Sequence, residues 1–249
     1  MKIEKFDITS LDDDVCVGNL SETFPTTDIL TLDVDSGSGE NLTVKMEAIQ
    51  VDNNYAVVVD NWYNEEEYNK VLNECKFLQD YMLDPKESGT ATTDSGAILK
   101  KNKAIFINDT FRDFNRSYIG RNSYKLYQPE LINSMINIDH LYYYLKDCNE
   151  HNCLVSYYEE SDYYHSHKDI AVITMLTWLY EDPKAFNGGN LILRDKEHNV
   201  VSEIECIANR SVIFPSFISH EVTSITMDKK DLNQKKGRFT VSQFSSVAL

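Results

Sequence analysis

The spacing of apolar positions changes character about two thirds of the way along the chain. Before Lys146 it yields two helices and a few short strands; from Cys153 onward it yields strands almost throughout. Asp28–Val34 (DILTLDV) and Leu42–Ile49 (LTVKMEAI) alternate about a turn-like Asp35-Ser-Gly-Ser-Gly-Glu40, which predicts a hairpin. Tyr55–Asp60 (YAVVVD) is a stronger strand, continuous in Val and Ala. Asn64-Glu65-Glu66-Glu67 then supplies a helix cap and acids for the helix N-terminus. Tyr68, Val71, Leu72, Cys75, Leu78 and Met82 follow at helical spacing.

Pro85 to Ser95 is a loop by composition, and a short strand follows at Ala104–Ile107. A second helix is predicted from about Pro129 to Lys146, with Leu131, Met135, Ile138, Leu141 and Tyr144 on one face. Strands are then predicted at 153–159, 163–169, 171–180, 190–194, 200–207, 211–214 and 238–247. Helices first and short strands afterwards describe a mainly β fold with flanking helices, a barrel or jelly roll covered on one side. Residues 1–50, acidic and β-rich, are set apart as an N-terminal extension from a domain spanning 51–249. Asp228–Gly237 (DKKDLNQKKG) is a polar, basic surface loop.

Composition narrows the classes. At 249 residues the chain can bury one substantial core. Forty acidic against 24 basic residues leave a net charge of −16, which repels phosphate backbones and argues against nucleic-acid partners. No apolar run approaches the ~20 residues that cross a bilayer. The opening MKIEKFDITSLDDD lacks the apolar stretch of a secretory signal, so a soluble, cytoplasmic chain without membrane contact is expected. Five scattered cysteines without a C-x-x-C pair read as free thiols.

Chemistry enters with His167-x-Asp169 and with His220, fifty-three residues beyond the first His. Two imidazoles and one carboxylate form the ligand set of a mononuclear iron(II) site with open coordination positions. Strict alternation places residues 165, 167 and 169 on one strand face, so His165 rivals His167; chelation by the nearby carboxylate favours the His167–Asp169 pair. The bland alternative is two surface histidines and a satisfied core His220, and residue by residue it prevails. Arg238, Thr240 and Ser242 share a face of the last strand, where a guanidinium with hydroxyls beside it suits a carboxylate. A solvated Arg at a strand end is the competing reading. Gly188-Gly189 marks a tight turn and by itself nothing more.

Taken together, these parts resemble the iron(II)/2-oxoglutarate-dependent dioxygenases, in their prolyl 4-hydroxylase-like branch. The resemblance spans roughly residues 52–249. It rests on Tyr157 ten residues before His167, Tyr164 three before it, Gly188-Gly189-Asn190-Leu191, Ser211–Pro215 (SVIFP) leading to His220, and Gly237-Arg238. The chain departs from the pattern in a longer insertion between His220 and Arg238, and in Glu159-Glu160-Ser161-Asp162 where relatives often carry Gly soon after the first Tyr. Trp178 or Thr177 stands where many relatives have a further Tyr.

The resemblance implies a double-stranded β-helix holding Fe(II) on His167, Asp169 and His220, with 2-oxoglutarate and dioxygen as co-substrates and ascorbate as an auxiliary reductant. Arg238, Thr240, Ser242 and Tyr157 would bind 2-oxoglutarate. The implied activity is hydroxylation of prolyl residues in a peptide or protein, coupled to oxidative decarboxylation of the co-substrate. Retention of Asp169 argues against the halogenating relatives, which lack that carboxylate. Phe244 stands where the demethylase branch has a second Arg. Hydroxylation of a free amino acid or small metabolite, and a non-catalytic jelly-roll binding module, are the alternatives.

Overall fold

The computed structural model describes residues 29–35, 41–93 and 95–248. In chain order the strands begin with β1 (Ile29–Asp35), β2 (Asn41–Val51), β3 (Asn54–Val59), β4 (Lys100–Lys101) and β5 (Lys103–Phe106). Then come β6 (Glu150–Tyr158), β7 (Tyr163–His167), β8 (Ile173–Leu179), β9 (Phe186–Asn187) and β10 (Leu191–Arg194). The series ends with β11 (Val200–Ile204), β12 (Ser211–Pro215), β13 (Ser219–Val222), β14 (Thr226–Met227) and β15 (Arg238–Ser246). An eight-stranded sheet runs β1-β2-β3-β12-β8-β15-β6-β5, and a five-stranded sheet runs β11-β10-β13-β7-β4. The strand pairs in both are antiparallel. Mostly strands with a few helices, arranged as a jelly-roll core, is the architecture expected above.

The central strands of the large sheet are buried on both faces, which explains why they read as nearly continuous apolar runs. In β3, Val57 and Val59 pack into a core with the helices, while Ala56 and Val58 pack into a second core beneath the small sheet. The helical core takes Val71, Leu72, Cys75 and Leu78 from helix α1 (Glu65–Leu78), together with Ile132 and Met135. The second core takes Leu191, Leu193, Ile204 and Val222 from the small sheet. No described helix is long and apolar enough to cross a membrane. Cys75, Cys153 and Cys206 are buried free thiols and Cys148 is half-buried, while Cys16 lies outside the described residues.

Strands β1 and β2 pair as the predicted hairpin requires, and β2 continues the large sheet through β3. The turn residues 36–40 lie outside the described residues. The helix at 65 starts as expected: Asn64 Oδ1 accepts from the Glu67 amide at 2.9 Å, and Glu67 Oε2 accepts from the Asn64 amide at 3.0 Å.

The second predicted helix is split. Two one- to two-turn helices, α2 (Ile107–Thr110) and α3 (Tyr118–Ser123), precede α4 (Pro129–Ile136), and a 3-10 stretch covers His140–Lys146. Asp139 causes the break by competing for backbone donors, accepting from the amides of Leu141 and Tyr55 at 2.9 Å each. The redirected chain buries Tyr142, whose hydroxyl lies 2.8 Å from the carbonyls of both Tyr55 and Ile213 and so ties β3 to β12.

Replacing Asn64 with Ala should remove one half of the reciprocal cap and destabilise the fold by about 1 kcal/mol. Thermal unfolding should record this as a fall of about 2–4 °C.

Candidate metal centre and co-substrate cavity

His167 ends β7, and His220 lies directly opposite it on β13. The pairing then slips: Val222 faces Tyr164, so His165 and Ser166 on β7 stand against the single Glu221 on β13. This bulge breaks the alternation assumed for residues 165, 167 and 169. It leaves Tyr164 and His167 on the same face, their rings stacked at 3.6 Å and 13°. His165 is thrown to the other side, exposed and packed on Tyr163. The bulge therefore decides between the two histidines.

Asp169 lies just beyond the strand. Its backbone amide donates to the Ser216 carbonyl at 3.0 Å, pinning the loop beside β12. One Asp169 oxygen lies 3.6 Å from His167 Nε2 and the other 3.5 Å from His220 Nε2. One ligand atom from each of the three residues falls within 4.8 Å of the others, a spacing that could hold one metal ion. In each imidazole the other nitrogen is engaged by backbone: His167 Nδ1 sits 2.9 Å from the His165 carbonyl and His220 Nδ1 3.0 Å from that of Ile218. A carbonyl can only accept, so Nδ1 carries the hydrogen and Nε2 presents its lone pair inward. Burial, then the neighbouring His220, push the His167 pKa down to about 2, so its imidazole is neutral and available to a cation.

Outer partners fix these groups. Thr174 Oγ1 donates to Asp169 Oδ2 at 2.8 Å and lies 2.8 Å from Ser216 Oγ. Phe214 meets the His220 ring edge-on at 4.8 Å. Thr174 went unnoticed in the sequence, although a Thr inside the apolar run ITMLTWL is the kind of residue that needs a polar partner.

The three groups line a cavity of about 380 Å³ whose walls also include Ser156, Tyr158, Arg238, Thr240 and Ser242. Arg238 is 1 % exposed. Its guanidinium lies 4.7 Å from the Tyr158 ring and 5.7 Å from that of Trp178. None of its three side-chain nitrogens has a partner among the described residues, nor do Thr240 Oγ1 and Trp178 Nε1. Burying a guanidinium without an anion is costly, so Arg238 suits an anionic ligand such as a carboxylate. Trp178, not Thr177, approaches the Arg; Thr177 is hydrogen-bonded to Ser211 at 2.7 Å.

The glycine turn has a second role beyond closing a hairpin. Gly189 sits at φ +71°, and a Cβ there would lie 2.7 Å from Arg238 Cδ. The missing side chain makes room for the stem of the cavity's cation.

Tyr157 does not reach the cavity, which corrects the expectation drawn from its spacing. It faces the helical core against Phe239, its hydroxyl donates to Glu159 at 2.6 Å, and it accepts from the Gly237 amide at 3.1 Å. Its neighbour Tyr158 lies opposite Arg238 in the β6–β15 register and occupies the cavity wall. Period-two alternation makes one of two adjacent tyrosines point each way, and only the register shows which. Lys100, also on the cavity wall and 4 % exposed, gave no sign within Lys100-Lys101-Asn102-Lys103.

Residues 153–244 match the family model described as the 2OG-Fe(II) oxygenase superfamily. Among solved structures, a Pseudomonas putida prolyl-4-hydroxylase is similar with a TM-score of 0.52 and 14 % identity, over 78 % of this chain and 93 % of that one. A Trichoplax adhaerens prolyl hydroxylase, solved in complex with a hypoxia inducible factor oxygen degradation domain peptide fragment, gives 0.51 and 17 % over 77 % and 83 %. The comparison with curated proteins returned no match. Residues 153–244 are thus similar to the 2OG-Fe(II) oxygenase superfamily, and the fold is shared with these prolyl hydroxylases.

Replacing Thr174 with Val should free Asp169 to rotate and weaken Mn(II) binding about 10–100-fold in calorimetric titration. Replacing Asp169 with Ala should abolish that binding and leave the far-ultraviolet circular dichroism unchanged.

Proposed function

We propose that this chain is an iron(II)- and 2-oxoglutarate-dependent hydroxylase of prolyl residues in a peptide or protein. The observation that carries the catalytic part is one cavity lined by both the His167–Asp169–His220 cluster and an unpartnered, buried Arg238. The residues suit both groups: neutral Nε2 donors and a carboxylate for the metal, and a guanidinium beside Thr240 and Ser242 for the far carboxylate of 2-oxoglutarate. When bound, ferrous iron and 2-oxoglutarate supply dioxygen activation, with succinate, carbon dioxide and a hydroxylated product as the outcome.

Each residue has a defined task in this reading. His167, Asp169 and His220 would hold the ion, and three protein ligands would leave it open to exogenous ligands. Thr174 and the carbonyls of residues 165 and 218 keep the three groups aimed before the metal arrives. Arg238 fixes the length and polarity of the co-substrate, clasping a terminal carboxylate where a neutral chain end would leave the guanidinium unpaired. Tyr158 and Trp178 cover that contact and exclude water. The charges of ferrous iron, Asp169, the 2-oxoglutarate dianion and Arg238 cancel, which favours burying the four together.

The prolyl and peptide parts are supported by the fold shared with the prolyl hydroxylases and by the peptide held in the Trichoplax adhaerens structure. Ile170, directly after Asp169 and fully exposed at the cavity wall, offers an apolar contact to a substrate at the opening.

Purified protein should release succinate only with both Fe(II) and 2-oxoglutarate present, and proline-containing peptides should gain one oxygen by mass spectrometry. Succinate released with another compound and no prolyl peptide oxidised would remove the prolyl assignment; no succinate under any condition would remove the enzyme. Arg238→Met should weaken 2-oxoglutarate about 10–100-fold, the loss expected for one charge-assisted contact.

A further inference from the structure

The metal cavity has an electrostatic character opposite to that of the chain around it. Its walls carry Lys100, Lys168 and Arg238 against a single acid, Asp169, within a chain of net charge −16. Lys168 is exposed to water. Lys100 is not.

Strand β4 sets Lys100 opposite Tyr164 on β7 and sends its side chain inward, while Lys101 points out to an ion pair with Asp162 at 3.2 Å. Lys101 shows the ordinary fate of a lysine in an acidic protein; Lys100, one residue away, departs from it. Its ammonium lies 5.5 Å from the Tyr164 ring centroid, and that ring is stacked on His167. No carboxylate among the described residues lies within ion-pair distance of it. Burial pulls its pKa down to about 8, with the field of Asp169 opposing the shift. The cavity wall thus carries two buried cations, Lys100 beside the Tyr164 ring that stacks on His167, and Arg238 against Tyr158 and Trp178.

Arg238 has its counter-ion in the co-substrate, and the charges there already cancel. Lys100 then remains uncompensated on the cavity wall with 4 % of its surface exposed, a placement that costs free energy unless an anion arrives. Lining the cavity beside the metal cluster, its ammonium can meet a substrate presented to the metal. We infer that Lys100 is the receptor for a carboxylate carried by the substrate itself, close to the carbon that is oxidised. The inference rests on the reading of the cavity as an iron and 2-oxoglutarate site and adds to it a chemical requirement on the substrate. That carboxylate belongs either to a free amino acid or to an acidic residue beside the target in a peptide.

The test uses the full chain loaded with Mn(II), which keeps turnover silent, and 2-oxoglutarate, whose binding is measured first. Calorimetry then compares acids with their amides in two arms: free L-amino acids, including proline, against their amides, and capped peptides containing Pro-Asp against Pro-Asn. In at least one arm the acid should bind about tenfold or more tightly than its amide, the preference expected of one charge-assisted contact. Lys100→Met and Lys100→Gln should erase that preference and Lys100→Arg retain most of it, with thermal unfolding confirming that each variant is folded. The arm that shows the preference identifies the carboxylate's source. Equal binding of acid and amide in both arms, or a preference that survives in both Lys100→Met and Lys100→Gln, overturns the inference. A loss of 2-oxoglutarate affinity as large as the loss for the acids would reassign Lys100 to the co-substrate and overturn it equally. Failure of the unaltered protein to bind 2-oxoglutarate, seen before any probe is added, would sink the co-substrate reading and this inference with it.

Discussion

Each central strand of the large sheet must satisfy two environments at once, and the site follows from that constraint. A strand buried on both faces has no water to receive its polar side chains, so every polar group it carries needs a partner or a ligand. On β15, Phe239 and Val241 go to the helical core, while Arg238, Thr240 and Ser242 line the cavity on the other face. On β8, Met175 and Leu179 take the first role, while Thr174 steadies Asp169 and Trp178 covers Arg238. The same period of two that closes the core therefore presents the site.

The small sheet contributes the metal end through a local irregularity. Regular pairing of β7 with β13 would have put His165 and His167 on one face. The extra residue between Tyr164 and His167 instead stacks Tyr164 against His167 and sends His165 outward. Bulges are well suited to re-aiming a side chain at a functional site, at the cost of a ladder hydrogen bond. Nδ1 of both candidate-ligand histidines is held by a carbonyl two residues upstream, so backbone contacts orient the cluster.

Charge is divided between surface and interior. The acidic excess lies outside the cavity, whose walls hold three basic side chains and one carboxylate. Net charge by itself argues against nucleic acid as a partner, yet it concealed the sign of the cavity, because a sum over the chain carries no position. Lys100 illustrates the point: within KKNK it looks like its solvated neighbours, and only the pairing of β4 with β7 turns it inward.

Much of this protein was legible in its sequence. The capped helix at Asn64, the strand series after Cys153, the candidate ligands His167, Asp169 and His220, and the common face of Arg238, Thr240 and Ser242 all depend on near neighbours or on one repeat period. Local sterics and hydrogen bonding set such features, so the order of residues suffices to read them. Other features needed partners distant in the chain. Asp139 ended a helix by reaching Tyr55, the bulge chose between two histidines, the register with β15 put Tyr158 rather than Tyr157 beside Arg238, and Gly189 made room for that arginine's stem. Periodicity states that a side chain points to one face or the other. Which face meets the core, and which the cavity, is set only when strands far apart in sequence settle into register, because only then do the two sides of a sheet become different places.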